Sequence, residues 1–306
     1  MEKIRKYNFE YAEVCEMCKD SEVEKHKILG IRLSQSQGFA PKKKTGIAVS
    51  IKKCRNCGLI YSYPQPIPDK ITDHYGINPE DYSWGDNYIK YDPEYFKRQI
   101  EEAKKILNFK PGMTSLDVGA GLGKAMKSMQ DAGFDVYGIE PSPNFRDKAI
   151  EWLKIPSEKL TLASAEEAQF PDNTFDFITF GAVFEHLYHP SFILNRVVKW
   201  LKPGGVIHIE VPSAKYLIPK IANAYFKLLG TNYVTNLSPM HAPFHLYEYT
   251  LDSFEKASKQ MGLENVRHYF DVCNIFFMPN FTKPLLNKIM EKTNTGMQLT
   301  VYLKKV

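Results

Sequence analysis

The middle of the chain alternates short apolar runs with helical patterns, and this alternation constrains the fold more than any other feature. Strand-like runs cover residues 114–118, 135–139, 160–163, 175–183 and 205–211, and helical patterns cover 124–132, 142–154 and 190–201. Two further strand-like runs, 265–273 and 297–303, follow a helical pattern over 251–261. Strands that alternate with helices pair in parallel, and the helices cover both faces of the sheet. The pattern therefore predicts an α/β fold with a doubly wound, mostly parallel sheet.

The composition is that of a globular protein without a membrane span. The chain has 306 residues, of which 43% are hydrophobic and 25% charged, and this length suffices for a sizeable core. No apolar run approaches the ~18 residues that a membrane helix needs. The first residues, MEKIRKYNFEYAEV, lack the apolar segment of a signal peptide, so we expect a cytoplasmic protein. The net charge of +5 is mild, and nucleic acid is therefore not the expected partner.

Two pairs of cysteines near the start of the chain have the spacing of a zinc site. Cys15 and Cys18 form one Cys-x-x-Cys pair, and Cys54 and Cys57 form the second. In a reducing compartment such pairs predict one tetrahedral structural zinc rather than disulfides. Strand-like residues 28–33 and 46–51 lie between the pairs and would form a hairpin, which predicts a small zinc ribbon. The alternative is four thiols without a metal.

The patterns divide the chain into three parts. We predict a zinc ribbon over 1–65, an aromatic lead-in and helix over 66–109, and the α/β domain over 110–306 with a substrate-side insert at 213–249. The Pro-rich stretch 61–71 is typical of a linker. The lead-in tyrosines, Tyr82 among them, would either fold over a ligand or pack on the larger domain.

A glycine-rich turn follows the first predicted strand of the α/β domain. The sequence LDVGAGLG places Gly119 and Gly121 where a ligand can approach the backbone at a helix N-terminus. Asp117 precedes this turn, and its carboxylate would repel a pyrophosphate but attract a cationic amino acid. Glu140 ends the second strand, where an acidic side chain can bind both ribose hydroxyls. These residues favour S-adenosylmethionine over a nicotinamide dinucleotide.

Four segments in the same order resemble the motifs of the class I S-adenosylmethionine-dependent methyltransferases. They are LDVGAGLGKAM, VYGIEPSPN, ASAEEAQFPDNTFDFITFGAVFEHL and LKPGGVIHIEVPS. The resemblance implies a Rossmann-like methyltransferase sheet with an antiparallel last strand. It also implies that the cofactor is bound by Asp117, Gly119, Ala120, Gly121, Glu140, Pro141, Ser164, Ala165 and Gly181. The family often has Asp where Ser164 stands, so the adenine contact at this position differs.

The chain also resembles the sugar methyltransferases of antibiotic and surface-polysaccharide pathways. The resemblance rests on the N-terminal ribbon, the Glu-His-Leu sequence after the fourth strand and a His-bearing insert. It implies a sugar or a nucleotide-linked sugar as the small-molecule acceptor. An alternative is an RNA or protein methyltransferase that uses the ribbon, with its basic stretch 41–55, to recognise its substrate. A non-catalytic cofactor-binding scaffold is disfavoured by the intact acidic and glycine positions.

Three side chains are candidates for the chemistry. His186 lies just after the fourth predicted strand, where the transferred methyl group should point. The ordinary pKa of histidine suits a general base. Glu185 would orient His186 or bind an acceptor hydroxyl. His245 is a second candidate base. The His241-x-x-x-His245 spacing could bind a metal on a helix, but Pro243 lies between the two residues and no acidic ligand follows closely.

Overall fold

The computed structural model describes residues 6–35, 46–69, 91–273, 275 and 278–306. The strands are β1 Tyr7–Glu10, β2 Lys27–Leu33, β3 Ala48–Lys53, β4 Ile60–Tyr63, β5 Gln65–Pro68, β6 Thr114–Val118, β7 Asp135–Glu140, β8 Leu160–Leu162, β9 Phe175–Gly181, β10 Leu201–Pro212, β11 Tyr247–Glu248, β12 Leu263–Asp271 and β13 Gln298–Lys305. The helices are α1 Lys97–Leu107, α2 Lys124–Asp131, α3 Pro143–Leu153, α4 Pro190–Trp200, α5 Leu217–Leu228, α6 Leu251–Gln260 and α7 Lys283–Thr293.

Seven strands form the central sheet, in the order β12-β13-β10-β9-β6-β7-β8. The five strands from β10 to β8 are parallel. β13 is antiparallel to both of its neighbours. The predicted mostly parallel Rossmann-like sheet is therefore confirmed, including its antiparallel last strand.

The central strands are buried on both faces, as their nearly continuous apolar sequence predicts. Phe175, Phe177 and Phe180 of β9 are completely buried, and so are Ile207 and Ile209 of β10. The helical connections between parallel strands leave the carboxyl ends of β6, β7 and β9 at one edge of the sheet. That edge is where a ligand can reach the turns that follow the strands.

A second sheet contains the predicted ribbon hairpin and more. β2 and β3 pair in antiparallel fashion, as the hairpin prediction requires. The stretch 61–71, expected to be a linker, instead holds most of β4 and all of β5. β4 continues the ribbon sheet, and β5 pairs with β1. The linker prediction was wrong because backbone pairing with distant strands overrides the local turn signals of the prolines.

The insert joins the ribbon on both edges of its sheet. β11 pairs with β4, which makes the order β11-β4-β3-β2. At the other edge, the Ile31 backbone exchanges hydrogen bonds with Asn232 and Val234 of the insert. The buried Arg32 side chain donates to the carbonyls of Val234 and Leu237. Ribbon and insert therefore form one packed unit.

This unit shares its core with the larger sheet. Met17, Leu59 and Tyr61 of the ribbon belong to the same buried cluster as Phe184 and Phe254 of the α/β domain. The division into 1–65, 66–109 and 110–306 stays a prediction. Tyr82 and the basic residues 42–44 lie outside the described residues. Within the described ranges, no helix has the length and apolar composition needed to cross a membrane.

Candidate active site

The glycine-rich turn lies between β6 and α2 and has a left-handed backbone at its glycines. The φ angles of Gly119 and Gly121 are +74° and +55°. A Cβ at Gly121 would meet nothing within 4 Å, so this position faces open space. A Cβ at Gly119 would stand 2.6 Å from Val183. Gly121 therefore leaves room for a ligand, whereas Gly119 is needed for packing.

Glu140 ends β7 and holds the turn in place. One carboxylate oxygen accepts a hydrogen bond from the Gly121 backbone N–H, and the other accepts one from Ser142, both at 2.8 Å. Burial raises the pKa of Glu140, and these two hydrogen bonds oppose that shift. A carboxylate at this place can accept from vicinal hydroxyls through its remaining lone pairs.

Asp117 lies one strand away and is buried. Its backbone is opposite Gly138 in the β6–β7 pair. Burial, followed by the nearby charge of Glu140, raises the pKa of Asp117 to about 7. Two buried carboxylates beside one turn form an electronegative site that favours a cationic ligand.

A cavity runs along the carboxyl ends of these strands. Seven of the predicted residues line it, namely Gly119, Gly121, Glu140, Pro141, Ser164, Ala165 and His186. The other predicted residues, Asp117, Ala120, Gly181, Glu185 and His245, are not part of this lining. The Ala120 backbone N–H donates to the Ile139 carbonyl, so it supports the turn from behind.

The end of the cavity near β8 is shaped by a local turn. The Ser164 backbone N–H donates to the Glu167 carboxylate, and the Ser164 hydroxyl accepts from the Glu167 N–H. Ser164 thus stabilises its own turn. Sequence reasoning missed Phe145 and Tyr188, which also line the cavity. Phe145 lies in the first turn of α3, which begins just after the carboxyl end of β7, so its place in the sequence already put it near this edge.

Glu185 and His186 lie on a short 3-10 turn, Phe184–His186, just after β9. His245 approaches them from the insert. The carboxylate Oε1 of Glu185 is 3.9 Å from Nε2 of His186 and 3.9 Å from Nε2 of His245. The two imidazole rings lie 5.0 Å apart between centroids. The structure therefore brings together the three predicted catalytic side chains, although they come from positions about 60 residues apart.

Burial favours the uncharged form of each group in this cluster. It raises the pKa of Glu185 to about 8 and lowers the pKa of His186 to about 4. Burial and the neighbouring His186 lower the pKa of His245. Both imidazoles are neutral near pH 7, so each has one nitrogen lone pair that can accept a proton or bind a ligand.

His241, the partner in the His-x-x-x-His spacing, does not join this cluster. Arg32 donates a hydrogen bond to Nε2 of His241 at 3.0 Å. Burial, followed by the charge of Arg32, lowers the pKa of His241 to about 4. A cation beside this ring makes a metal site at His241 unfavourable.

The four paired cysteines lie together at the edge of the ribbon. The sulfur atoms of Cys15 and Cys57 are 3.6 Å apart, as are those of Cys18 and Cys54, and all four lie within 4.8 Å of one another. Ligands at about 2.3 Å in a tetrahedral site stand about 3.8 Å apart. The cluster is compatible with a zinc ribbon. Cys273 is distant in sequence and instead donates a hydrogen bond to Gln298.

Comparison with known proteins finds methyltransferases. A family model described as a methyltransferase domain matches residues 88–268, which is more than half of the chain. The chain is 32% identical over 145 residues to phosphoethanolamine N-methyltransferase 2 of Caenorhabditis elegans, covering 46% of this chain and 33% of that protein. It is 26% identical over 178 residues to the ubiquinone biosynthesis O-methyltransferase of Bordetella avium, covering 54% of this chain and 68% of that one.

The chain is also similar to solved structures, at lower identity. A SAM-dependent methyltransferase from Archaeoglobus fulgidus superimposes with a TM-score of 0.48 at 18% identity, covering 70% of this chain and 95% of that chain. The chain spans about a third or less of the length of the phosphoethanolamine methyltransferases that it matches.

Proposed function

This chain belongs to the methyltransferase domain family and is an enzyme of the class I methyltransferase type, and from that premise we propose that it methylates a sugar or nucleotide-linked sugar. The methyl donor is S-adenosylmethionine. The observation that carries methyl transfer to a small acceptor is the position of His186, which lines the cavity beside the glycine turn and lies next to Glu185 and His245. This position places the imidazole of His186, which can accept a proton, where the molecule to be methylated would meet S-adenosylmethionine.

The residues around the cavity fit this cofactor. Glu140 would hold the ribose hydroxyls, and Asp117 would balance the positive charge of the amino-acid part. A Cβ at Gly121 would meet no protein atom, so a side chain there would occupy the space proposed for the cofactor. When bound, the cofactor supplies a methyl group already activated by a sulfonium. The chain has only to align the acceptor and take its proton.

The proposed roles of the three catalytic side chains follow from their contacts. Nδ1 of His186 donates to the Phe244 carbonyl at 3.3 Å, so the ring presents Nε2 as its basic nitrogen. His186 would take the proton of an acceptor hydroxyl as the methyl group moves. Glu185 and His245 would hold the acceptor and orient it. A hydroxyl needs such a base because its own pKa lies far above neutrality.

A small acceptor is supported over RNA or protein. The relatives are named for methylating phosphoethanolamine or quinone-type small molecules. Two of the three basic residues in the described part of the stretch 41–55 have acidic neighbours within the ribbon, since Lys52 lies beside Glu24 and Arg55 pairs with Glu22 and Asp20. The sugar assignment rests on the resemblance of the ribbon, the Glu-His-Leu sequence and the His-bearing insert to sugar methyltransferases.

We also propose that Cys15, Cys18, Cys54 and Cys57 hold one structural zinc. Their sulfur separations support a closed tetrahedral site with no position for substrate. Three of the four thiols are buried. A closed thiolate site would stabilise the ribbon and take no part in methyl transfer.

Cofactor binding is tested with a matched pair of glycine variants. We expect calorimetry to detect S-adenosylhomocysteine binding to the intact protein and to Gly262→Arg, but not to Gly121→Arg. Gly121 and Gly262 both have left-handed φ angles and open space where a Cβ would stand, so the backbone strain is matched. Preferential binding of a nicotinamide dinucleotide would overturn the cofactor assignment.

The acceptor is tested by mass spectrometry after incubation with S-adenosylmethionine and a panel of nucleotide sugars, phosphoethanolamine and demethylated quinols. We expect a gain of one methyl group in a nucleotide sugar. With that acceptor, His186→Ala should lower turnover by about 10²–10⁴ and leave cofactor affinity nearly unchanged. Methylation of phosphoethanolamine or a quinol alone would reject the sugar.

A further inference from the structure

The cluster of Glu185, His186 and His245 has the composition of a metal site that the sequence spacing does not reveal. Two imidazoles and one carboxylate are the protein ligands of several catalytic transition-metal sites, in which further positions stay open for substrate. The three donor atoms all lie within 4.8 Å of one another. In sequence, Glu185 lies 60 positions before His245, so the residues next to the His-x-x-x-His spacing do not reveal it.

The distances are close to those a metal requires. Imidazole nitrogens and carboxylate oxygens bind zinc-like ions at about 2.0–2.2 Å, which puts tetrahedral ligands about 3.3 Å apart. The observed separation of Glu185 Oε1 from each histidine Nε2 is 3.9 Å. Small side-chain rotations close this difference.

The surroundings of the cluster orient its donor atoms. Nδ1 of His186 donates to the Phe244 carbonyl, and such a contact fixes which nitrogen of a metal-binding histidine is the ligand. The Leu246 N–H donates to the Glu185 carbonyl at 2.9 Å, and the His245 N–H donates to the Ser238 hydroxyl at 3.2 Å. The Leu246 bond holds the insert against the turn after β9, and the Ser238 bond fixes the backbone of His245 within the insert.

One buried carboxylate oxygen of the cluster lacks a hydrogen-bond partner among the described residues. Glu185 is 2% exposed, and its Oε2 has no hydrogen-bond partner among the described residues. A buried carboxylate oxygen without a partner is unfavourable. Oε1 is the oxygen that lies 3.9 Å from each imidazole, so a cation at the cluster would satisfy Oε2 if the carboxylate bound it through both oxygens.

We propose that Glu185, His186 and His245 bind a divalent transition-metal cation, to which the acceptor hydroxyl adds as a further ligand. The proposal rests on the proposed methyl transfer. The cation weakens the O–H bond of the acceptor, and the proton leaves to solvent water. The oxygen then forms its bond to the methyl carbon, and the electron pair of the breaking C–S bond stays on sulfur. In the metal-bound enzyme, His186 thus acts through the cation rather than by taking the proton itself.

The test adds Mn²⁺ as the only metal to the full chain and measures its binding by electron paramagnetic resonance. Mn²⁺ prefers oxygen and nitrogen donors to thiolates, so it reports this site and not the four cysteines. We expect one Mn²⁺ per chain, with binding weakened at least about tenfold in both His245→Ala and Glu185→Gln. His241→Ala is the matched control from the same insert, and it should bind Mn²⁺ as the intact protein does.

Binding of S-adenosylhomocysteine, measured on the same samples, separates the two proposals. If all variants bind it, they are folded, and loss of Mn²⁺ binding in the two cluster variants supports the metal site. If the intact protein binds S-adenosylhomocysteine but no Mn²⁺, or if His245→Ala binds Mn²⁺ normally, the metal site is rejected and the methyltransferase proposal stands. If the intact protein binds Mn²⁺ but not S-adenosylhomocysteine, the proposed function fails.

Discussion

Asp117 links cofactor affinity to pH. In the ligand-free protein its pKa lies at about 7 because it is buried near Glu140, whereas a cationic ligand requires its ionised form. Binding therefore releases a proton below that pH. We predict that the affinity for S-adenosylhomocysteine rises by up to about tenfold per pH unit between pH 5.5 and about 7 and is level above it. Calorimetry over this range measures the slope.

The Asp117→Asn variant supplies the control. It should bind the cofactor more weakly, with a much smaller slope. The raised pKa means that the folded state binds more protons than the unfolded state between about pH 4 and 7, so ionisation lowers stability as pH rises through that window. Asp117→Asn should therefore raise the melting temperature of the ligand-free protein more at pH 8 than at pH 5. An equal effect at both pH values would contradict the raised pKa.

The residues of the site that lie at strand ends could be predicted from the sequence, whereas the contact between Glu185 and the insert could not. Asp117 and Gly121 lie at the carboxyl end of β6 and Glu140 at that of β7, so the topology of a parallel sheet places them at one edge. Glu185 and His186 follow β9, which pairs with β6, and they therefore lie at the same edge. The contact between Glu185 and His245 depends on the path of the insert, which no periodicity encodes.

At the scale of the elements, Gly30 permits the close contact between β2 and the insert. A Cβ at Gly30 would stand 2.3 Å from the Asn232 carbonyl oxygen and 2.7 Å from a methyl group of Val234. Because a backbone carbonyl cannot rotate away, we predict that Gly30→Val lowers the free energy of unfolding by about 1–3 kcal/mol or more. The variant should also lower turnover, since the displaced insert carries His245. Chemical denaturation and a methyl-transfer assay measure the two effects.

Gly230→Ala is the control for this variant, because Gly230 lies in the same insert but a Cβ there would meet only open space. Its left-handed backbone should cost about 1 kcal/mol, with turnover unchanged. A Gly30→Val protein as stable as this control would show that the contact does not constrain the insert.

The elements of the α/β domain follow from sequence more closely than those of the ribbon. The predicted and observed bounds of β6 are identical, and those of α4 differ by one residue. In the ribbon, β4, β5 and β11 were not predicted. Each is two to four residues long, and β5 and β11 form because strands far away in sequence offer them backbone hydrogen bonds. Such short strands have no period of their own to detect.

At the scale of the whole molecule, the shared core predicts how removal of the proposed zinc would change the stability of the protein. A ribbon that packed on its own would unfold first when its metal is removed. Here the ribbon residues belong to one buried cluster with the α/β domain, and Thr250 at the start of α6 donates to the Cys57 carbonyl. We predict that chelation lowers the melting temperature of a single transition and removes hydrogen-exchange protection from both the ribbon and the insert.

Cysteine variants check this prediction independently of the chelator. Cys15→Ser should reproduce the lowered transition, and Cys273→Ser, which lies outside the cluster, should not. Two separate transitions after zinc removal, with the insert still protected, would mean that the ribbon and the catalytic domain are independent.

The pairing of β11 with β4 restricts which segments homologous proteins can exchange by recombination. The ribbon and the insert are separated by more than a hundred residues of sequence, yet each supplies edge strands that the other needs. A recombination that exchanged the ribbon alone would leave an open sheet edge and would displace His245, the proposed catalytic histidine of the insert. Viable chimaeras should therefore exchange both segments together, as a split cassette on either side of the cofactor-binding strands.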